Sequence, residues 1–178
     1  MVWRPFDLHP EYPPEGIPRA DLERRYGQAF HGRLFAMFDE AGLPHAETLE
    51  KVPNSFNALM LAELARERGA FEPAHRRLFD AYWARGRDIG DERVLVEEGA
   101  AAGLKEGDVL EVLRDGRYRE RIRQYTDAAL QLGAGGVPAW LIDERLLVPG
   151  AQPHDVFTRV LERLGHEPVD GEPRSAEG

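Results

Sequence analysis

An α/β layered fold carrying a large inserted helical block is what this 178-residue sequence predicts, and three features predict it. Residues 2–8 alternate apolar and polar side chains, as a half-buried strand does. Residues 18–132 carry apolar residues at helical spacing, with glycines ending successive runs. Residues 138–148 read as two short apolar strands joined by a tight turn. Helices set between strands of one sheet give an α/β architecture. Residues 1–17 and 133–165 are then one domain, 18–132 an inserted helical subdomain, and 166–178 a polar, disordered tail.

In residues 2–8, Val2, Phe6 and Leu8 share one side, and Pro5 removes one donor, which suits an edge. The proline-rich stretch from His9 to Gly16 cannot be helical and reads as a rigid extended loop. Pro18 opens a helix with Leu22, Tyr26, Phe30, Leu34 and Phe38 on one face and Gly42 at its end. Asn54 is placed to cap a second helix, which buries Phe56, Leu59, Met60 and Leu64 and stops at Gly69. Leu78, Phe79, Tyr82 and Trp83 mark a third, ending at Gly86. Asp91 caps a fourth, with Val94 and Leu95, ending at Gly103. Val109, Leu110 and Leu113 mark a short fifth, and a sixth covers residues 118–132. The glycines from Gly133 to Gly136 then break the pattern, Asp143 and Glu144 form the hairpin turn, and Pro153 opens a last helix with Phe157, Val160, Leu161 and Leu164. Glu97 and Glu98 read as a solvated helix face.

Composition narrows the function classes. The net charge is −9, whereas nucleic-acid binding needs clustered positive charge, so no nucleic-acid partner is expected. No apolar run approaches the roughly 20 residues of a membrane span, and no secretory pattern is visible, so a cytoplasmic protein without a membrane partner is expected. None of His9, His31, His45, His75, His154 and His166 pairs at the spacing of a helical zinc site, so no metal site is expected. There is no cysteine, which removes structural disulfides and a cysteine nucleophile from these residues.

Three segments taken together carry a resemblance: Pro5-Phe6-Asp7-Leu8-His9-Pro10; Pro53-Asn54-Ser55-Phe56-Asn57-Ala58; and Gly135-Gly136-Val137-Pro138-Ala139-Trp140-Leu141-Ile142 with Val148-Pro149-Gly150-Ala151-Gln152-Pro153. In this order the sequence resembles the DsbA-like thioredoxin-fold disulfide oxidoreductases, in particular the FrnE-type branch, which is related to 2-hydroxychromene-2-carboxylate isomerases and kappa-class glutathione transferases. The resemblance implies a thioredoxin-like fold with a helical insertion. It implies a cis Val137–Pro138 bond, with the Val137 backbone offered to an extended peptide or to glutathione. Asn54 is either a pocket residue or only a helix cap, and Gln152 faces the pocket or is a loop residue before the last helix. Phe6 and Trp140 are read as core residues, and His9 as a solvated loop residue.

The family's reactive motif, a Cys-x-x-Cys, a Cys-Pro-x-x or a serine-containing motif at a helix N-terminus, precedes the segment matching residues 2–8, and here nothing matches it. The expectation is an N-terminally truncated member without its first strand, with no catalytic residue and inactive as given. The gap in the sheet would be filled by a lost segment, or by a homodimer or exchanged strand. The implied partners are an extended peptide, a protein thiol or disulfide, or glutathione as co-substrate, with no other cofactor. Three functions are compatible with this pattern: thiol–disulfide oxidoreductase, glutathione-dependent isomerase or transferase, and a non-catalytic peptide- or partner-binding protein.

Overall fold

The computed structural model describes residues 1–46 and 50–167, and these divide into two compact units, Met1–Ala128 and Ala129–Gly178. The part of the expected disordered tail in residues 168–178 lies outside the described residues, as do the side chains of Tyr26, Phe30 and His31.

The first unit is mainly helical. Its elements are β1 (Ile17–Pro18), α1 (Arg19–Tyr26), α2 (Gln28–Glu40), β2 (Lys51–Val52), α3 (Phe56–Glu67), α4 (Phe71–Phe79), a π-helical turn (Asp80–Ala84), α5 (Glu92–Ala101), α6 (Glu106–Asp115) and α7 (Arg119–Gln131), whose last residues enter the second unit. Helix α3 is the centre of the core. Met60, Leu61 and Leu64 are fully buried and meet Leu95 of α5, Val109 and Val112 of α6 and Ile122 of α7. Each such aliphatic side chain contributes roughly 1.5–3 kcal/mol by leaving water. Close approach needs Gly99: a Cβ there would sit 3.0 Å from Val109 Cγ2 and 3.2 Å from Leu61 Cδ1.

Three sequence expectations are corrected in this unit. Residues 2–8 are not a strand, because among the described residues no strand pairs with them. Helix side chains hold the segment instead: Thr126 Oγ1 accepts from the Asp7 amide at 2.9 Å, Arg66 donates to the Trp3 carbonyl at 2.9 Å, and Arg4 donates to the Tyr125 hydroxyl at 2.6 Å. The single helix expected from Pro18 to Gly42 is two, because Gly27 at φ +81° leaves the helical region. Glu98 is not solvated: Glu97 is exposed, but Glu98 is 1% accessible and is surrounded by Arg77 at 3.0 Å, Arg85 at 2.8 Å and Arg87 at 2.9 Å. A buried carboxylate is tolerated only when paired, and these arginines, half in solvent, supply the pairing.

A two-residue antiparallel pair, Ile17 with Val52 and Pro18 with Lys51, has no signature in the sequence. It depends on Gly16, at φ +76°, where a Cβ would lie 2.3 Å from the Val52 carbonyl oxygen.

The second unit holds β3 (Ala139–Ile142), β4 (Leu146–Pro149) and α8 (His154–Leu164). The strands pair antiparallel, Ala139 opposite Pro149 through Ile142 opposite Leu146. Asp143 and Glu144 both adopt positive φ (52° and 55°), and the Arg145 amide donates to the Ile142 carbonyl at 3.0 Å, the tight turn the sequence predicts. His166, at the start of the expected tail, bonds Asp143 at 2.6 Å. No helix among the described residues is long and apolar enough to cross a membrane.

Candidate functional site

The site expected from the sequence is built on the entry to β3. The Ala134 amide closes the end of α7 by donating to Ala129 O at 2.9 Å, and two glycines then lead to the Val137–Pro138 bond, which is cis. Pro138 offers its carbonyl to the Gly150 amide at 2.7 Å, which locks it to the strand opposite. This bond fixes the alternation along β3. Pro138, Trp140 and Ile142 turn their backbone polar groups toward β4, so Ala139 and Leu141 turn theirs to the other edge. Among the described residues no strand pairs with that edge. Val137 is 55% and Leu141 45% exposed beside it. An open edge of this kind can accept an extended polypeptide through main-chain hydrogen bonds.

Gln152 lies just past β4. Its side-chain amide donates to the Pro149 carbonyl at 2.8 Å, and the residue is exposed. Val137, Pro138 and Gln152 therefore belong to one hairpin and the loop after it. Trp140 packs edge-on against Phe157 of α8, ring centroids 5.3 Å apart, and is half-buried.

Asn54 belongs to the first unit. Its Nδ2 donates to the Tyr12 carbonyl at 2.8 Å, and its Oδ1 accepts from the Phe56 amide at 2.9 Å. The cap position of α3 is Ser55, so Asn54 covers the helix end from one residue further out. Both of its polar atoms are engaged in joining the proline-rich loop to α3.

That loop carries further polar groups. His9 stacks on Tyr12 with centroids 4.3 Å apart, is half-buried, and meets Glu11 at 3.2 Å. Glu11 is held ionised, its carboxyl below the usual range, by its own backbone amide and by Arg25 at 3.0 Å. Burial pushes the Asp7 carboxyl up. Phe6 is half-buried. The residues that sequence reasoning missed are Tyr12, which anchors Asn54, and Thr126, which anchors Asp7. Both act through single hydrogen bonds that leave no pattern in a sequence.

The chemistry available is limited by composition. Without cysteine there is no thiolate in these residues. Among the described residues no three His, Asp or Glu side chains gather as metal ligands would. The hairpin supplies a shaped backbone edge with apolar side chains beside it.

Comparisons with known proteins give this arrangement a context. Residues 1–162 match the model of the DSBA-like thioredoxin domain family. A solved structure of a probable DsbA oxidoreductase from Streptomyces coelicolor superposes with a TM-score of 0.84 at 32% identity, covering 99% of this chain and 80% of that one. A chain from Nitrosomonas europaea, provisionally named a protein disulfide isomerase, superposes at 0.64 and 16% identity over 77% of this chain and 72% of that one, a likeness of fold alone. The uncharacterized protein YwbO of Bacillus subtilis (strain 168) is 24% identical over 163 residues, 90% of this chain and 80% of its own length.

Proposed function

Since the chain belongs to the DSBA-like thioredoxin domain family and has its mixed α/β thioredoxin-like fold, we propose that the protein serves thiol–disulfide exchange on extended polypeptides, as a member of the FrnE-type branch. The supporting observation is Val137, 55% exposed directly ahead of Pro138 and β3, where its backbone can meet an extended segment. A substrate segment would lie along Val137, with Gln152 of the same hairpin loop as a further contact.

The 178 residues contain no cysteine, so the nucleophile must come from polypeptide outside them. In the reaction a thiolate attacks one sulfur of a disulfide, a mixed disulfide forms, and the other sulfur leaves as a thiolate. These residues then contribute the orienting edge and the fold around it. The lack of a thiol also favours a second reading, in which the protein holds an extended segment without turnover.

Two measurements decide. The pure 178-residue chain is expected not to accelerate reduction of insulin by dithiothreitol, and acceleration would overturn the assignment of the nucleophile to other polypeptide. The intact mass of the protein from its native host, read with thiol labelling, tests the redox reading itself. A labelled species heavier than 20.1 kDa sustains it. A thiol-free native protein of 20.1 kDa with no thiol-bearing partner at the hairpin would leave only the binding reading.

A further inference from the structure

A groove of about 560 Å³ runs between α5 and α6, within the first unit. Its volume falls in the range of about 300–1,000 Å³ typical of ligand pockets. Val96 and Ala100 of α5 and Leu110 of α6 form an apolar floor, and all three are half-buried, so the floor is reachable from solvent. The rim is acidic on both walls. Glu92 and Glu97 stand on α5, and Glu106 stands on α6.

The rim charges are not equally committed. Glu97 is held by Arg87, at 2.8 and 2.6 Å. Glu92 and Glu106 make no side-chain hydrogen bond or ion pair among the described residues, although both are exposed in first helical turns. Arg93 is the basic side chain of the lining; it is 90% exposed and reaches Asp91 at 3.4 Å. Lys105 precedes Glu106 but does not line the groove. Two uncommitted carboxylates, one on each wall beside the apolar floor, complement a segment that is apolar along one stripe and cationic beside it. An acidic partner would be repelled, the more so by a chain of net charge −9.

We propose that the α5–α6 groove docks a basic amphipathic segment of a partner protein, with aliphatic side chains on Val96, Ala100 and Leu110 and lysines or arginines against Glu92 and Glu106. This is the helix-in-groove mode of recognition, with apolar anchors giving affinity and rim charges giving selection and rate. It is independent of the redox reading, because it uses no residue of the hairpin and its test measures binding alone.

The probe is a fluorescein-labelled 14-residue peptide with leucines at i, i+3, i+4 and i+7 and lysines elsewhere, compared with its glutamate counterpart. Anisotropy titrations track affinity, and amide chemical-shift changes on the labelled protein locate the contact. The lysine peptide is expected to bind, with shifts centred on Val96, Ala100 and Leu110, and to weaken as salt is raised. Ala100→Trp, which fills the groove, and the double variant Glu92→Lys/Glu106→Lys should each weaken binding by about fivefold or more, since rim charges act modestly and the anchor contact is lost. The double variant Glu144→Lys/Glu162→Lys makes the same charge change elsewhere and should stay within about twofold. Equal losses from both double variants, shifts centred away from the groove, absence of binding, or dilution-sensitive shifts at the groove from self-association would each overturn the proposal.

Discussion

In the first unit Met60, Leu61, Leu64, Leu95 and Ile122 are sealed from solvent, and polar groups that enter the core bring partners with them. Among the described residues of the second unit only Ala134 and Val148 are buried, and α8 buries no residue although Phe157, Val160, Leu161 and Leu164 repeat at helical spacing. The two regions are equally well patterned. They differ in size: the first unit packs helix on helix, whereas the second sets one helix beside one hairpin, and hydrophobic stabilisation needs a layer to pack on as well as the pattern. A hairpin with one helix is too small to make a core of its own, so its apolar side chains stay available.

This contrast can be broken by mutation. The largest effect is expected for Leu61→Ala, which opens a cavity among α3, α5 and α6. Urea unfolding should show a loss of about 2–5 kcal/mol, and a loss under about 1 kcal/mol would mean that the helical core is not what holds this unit. Next is Glu98→Gln, which leaves Arg77, Arg85 and Arg87 facing a neutral group. The same assay should read a loss of roughly 1–3 kcal/mol, and an unchanged midpoint would show that the solvated sides of the arginines absorb the change.

The Tyr118–Glu67 pair sharpens the contrast through pH. Burial and the bond to Glu67 at 2.6 Å push the Tyr118 hydroxyl up to about 12, from an ordinary 10. The folded state therefore favours the protonated phenol. That contribution is complete below pH 10 and is lost as pH rises through about 12. Burial pushes the Tyr82 hydroxyl up as well, so absorbance at 295 nm should show Tyr118 and Tyr82 titrating late, and Tyr118→Phe should remove part of the late amplitude; an unchanged late amplitude would reassign it. The smallest effect is expected in the second unit. Leu141→Lys on the exposed face of β3 should change stability by less than about 0.5 kcal/mol, and a loss of several kcal/mol in the protein from its native host would show that the face is covered there.

The helices from α3 onward were legible because they repeat apolar residues and end at glycines with positive φ, as at Gly69 and Gly103, whereas the break at Gly27 between α1 and α2 was not. The hairpin was legible from two apolar runs around Asp143 and Glu144. Residues 2–8 misled because alternation records which side chains face a surface, not whether a neighbouring strand is present. Glu98 misled because a carboxylate looks solvated until the three arginines ahead of it in sequence converge. For the candidate site, the strand after Pro138 could be read from its apolar run, whereas the cis bond before it followed only from the family resemblance. The double bond pattern of Asn54 could not, because its partner Tyr12 lies 42 residues away and contributes only a backbone carbonyl.

The π-helical turn at Asp80–Ala84 amounts to one residue more than an α-helix would need over the same arc. It directs Trp83 to an edge-on contact with Phe38, centroids 5.3 Å apart, while the Trp83 carbonyl accepts from the Ala46 amide at 2.6 Å. Deleting a single residue there would leave an ordinary α-helical turn over the same arc, with one residue fewer to hold both the Phe38 ring and the Ala46 amide. The stretch thus works as a widened turn of the spiral, whose spare residue lets one short arc serve two neighbours at once.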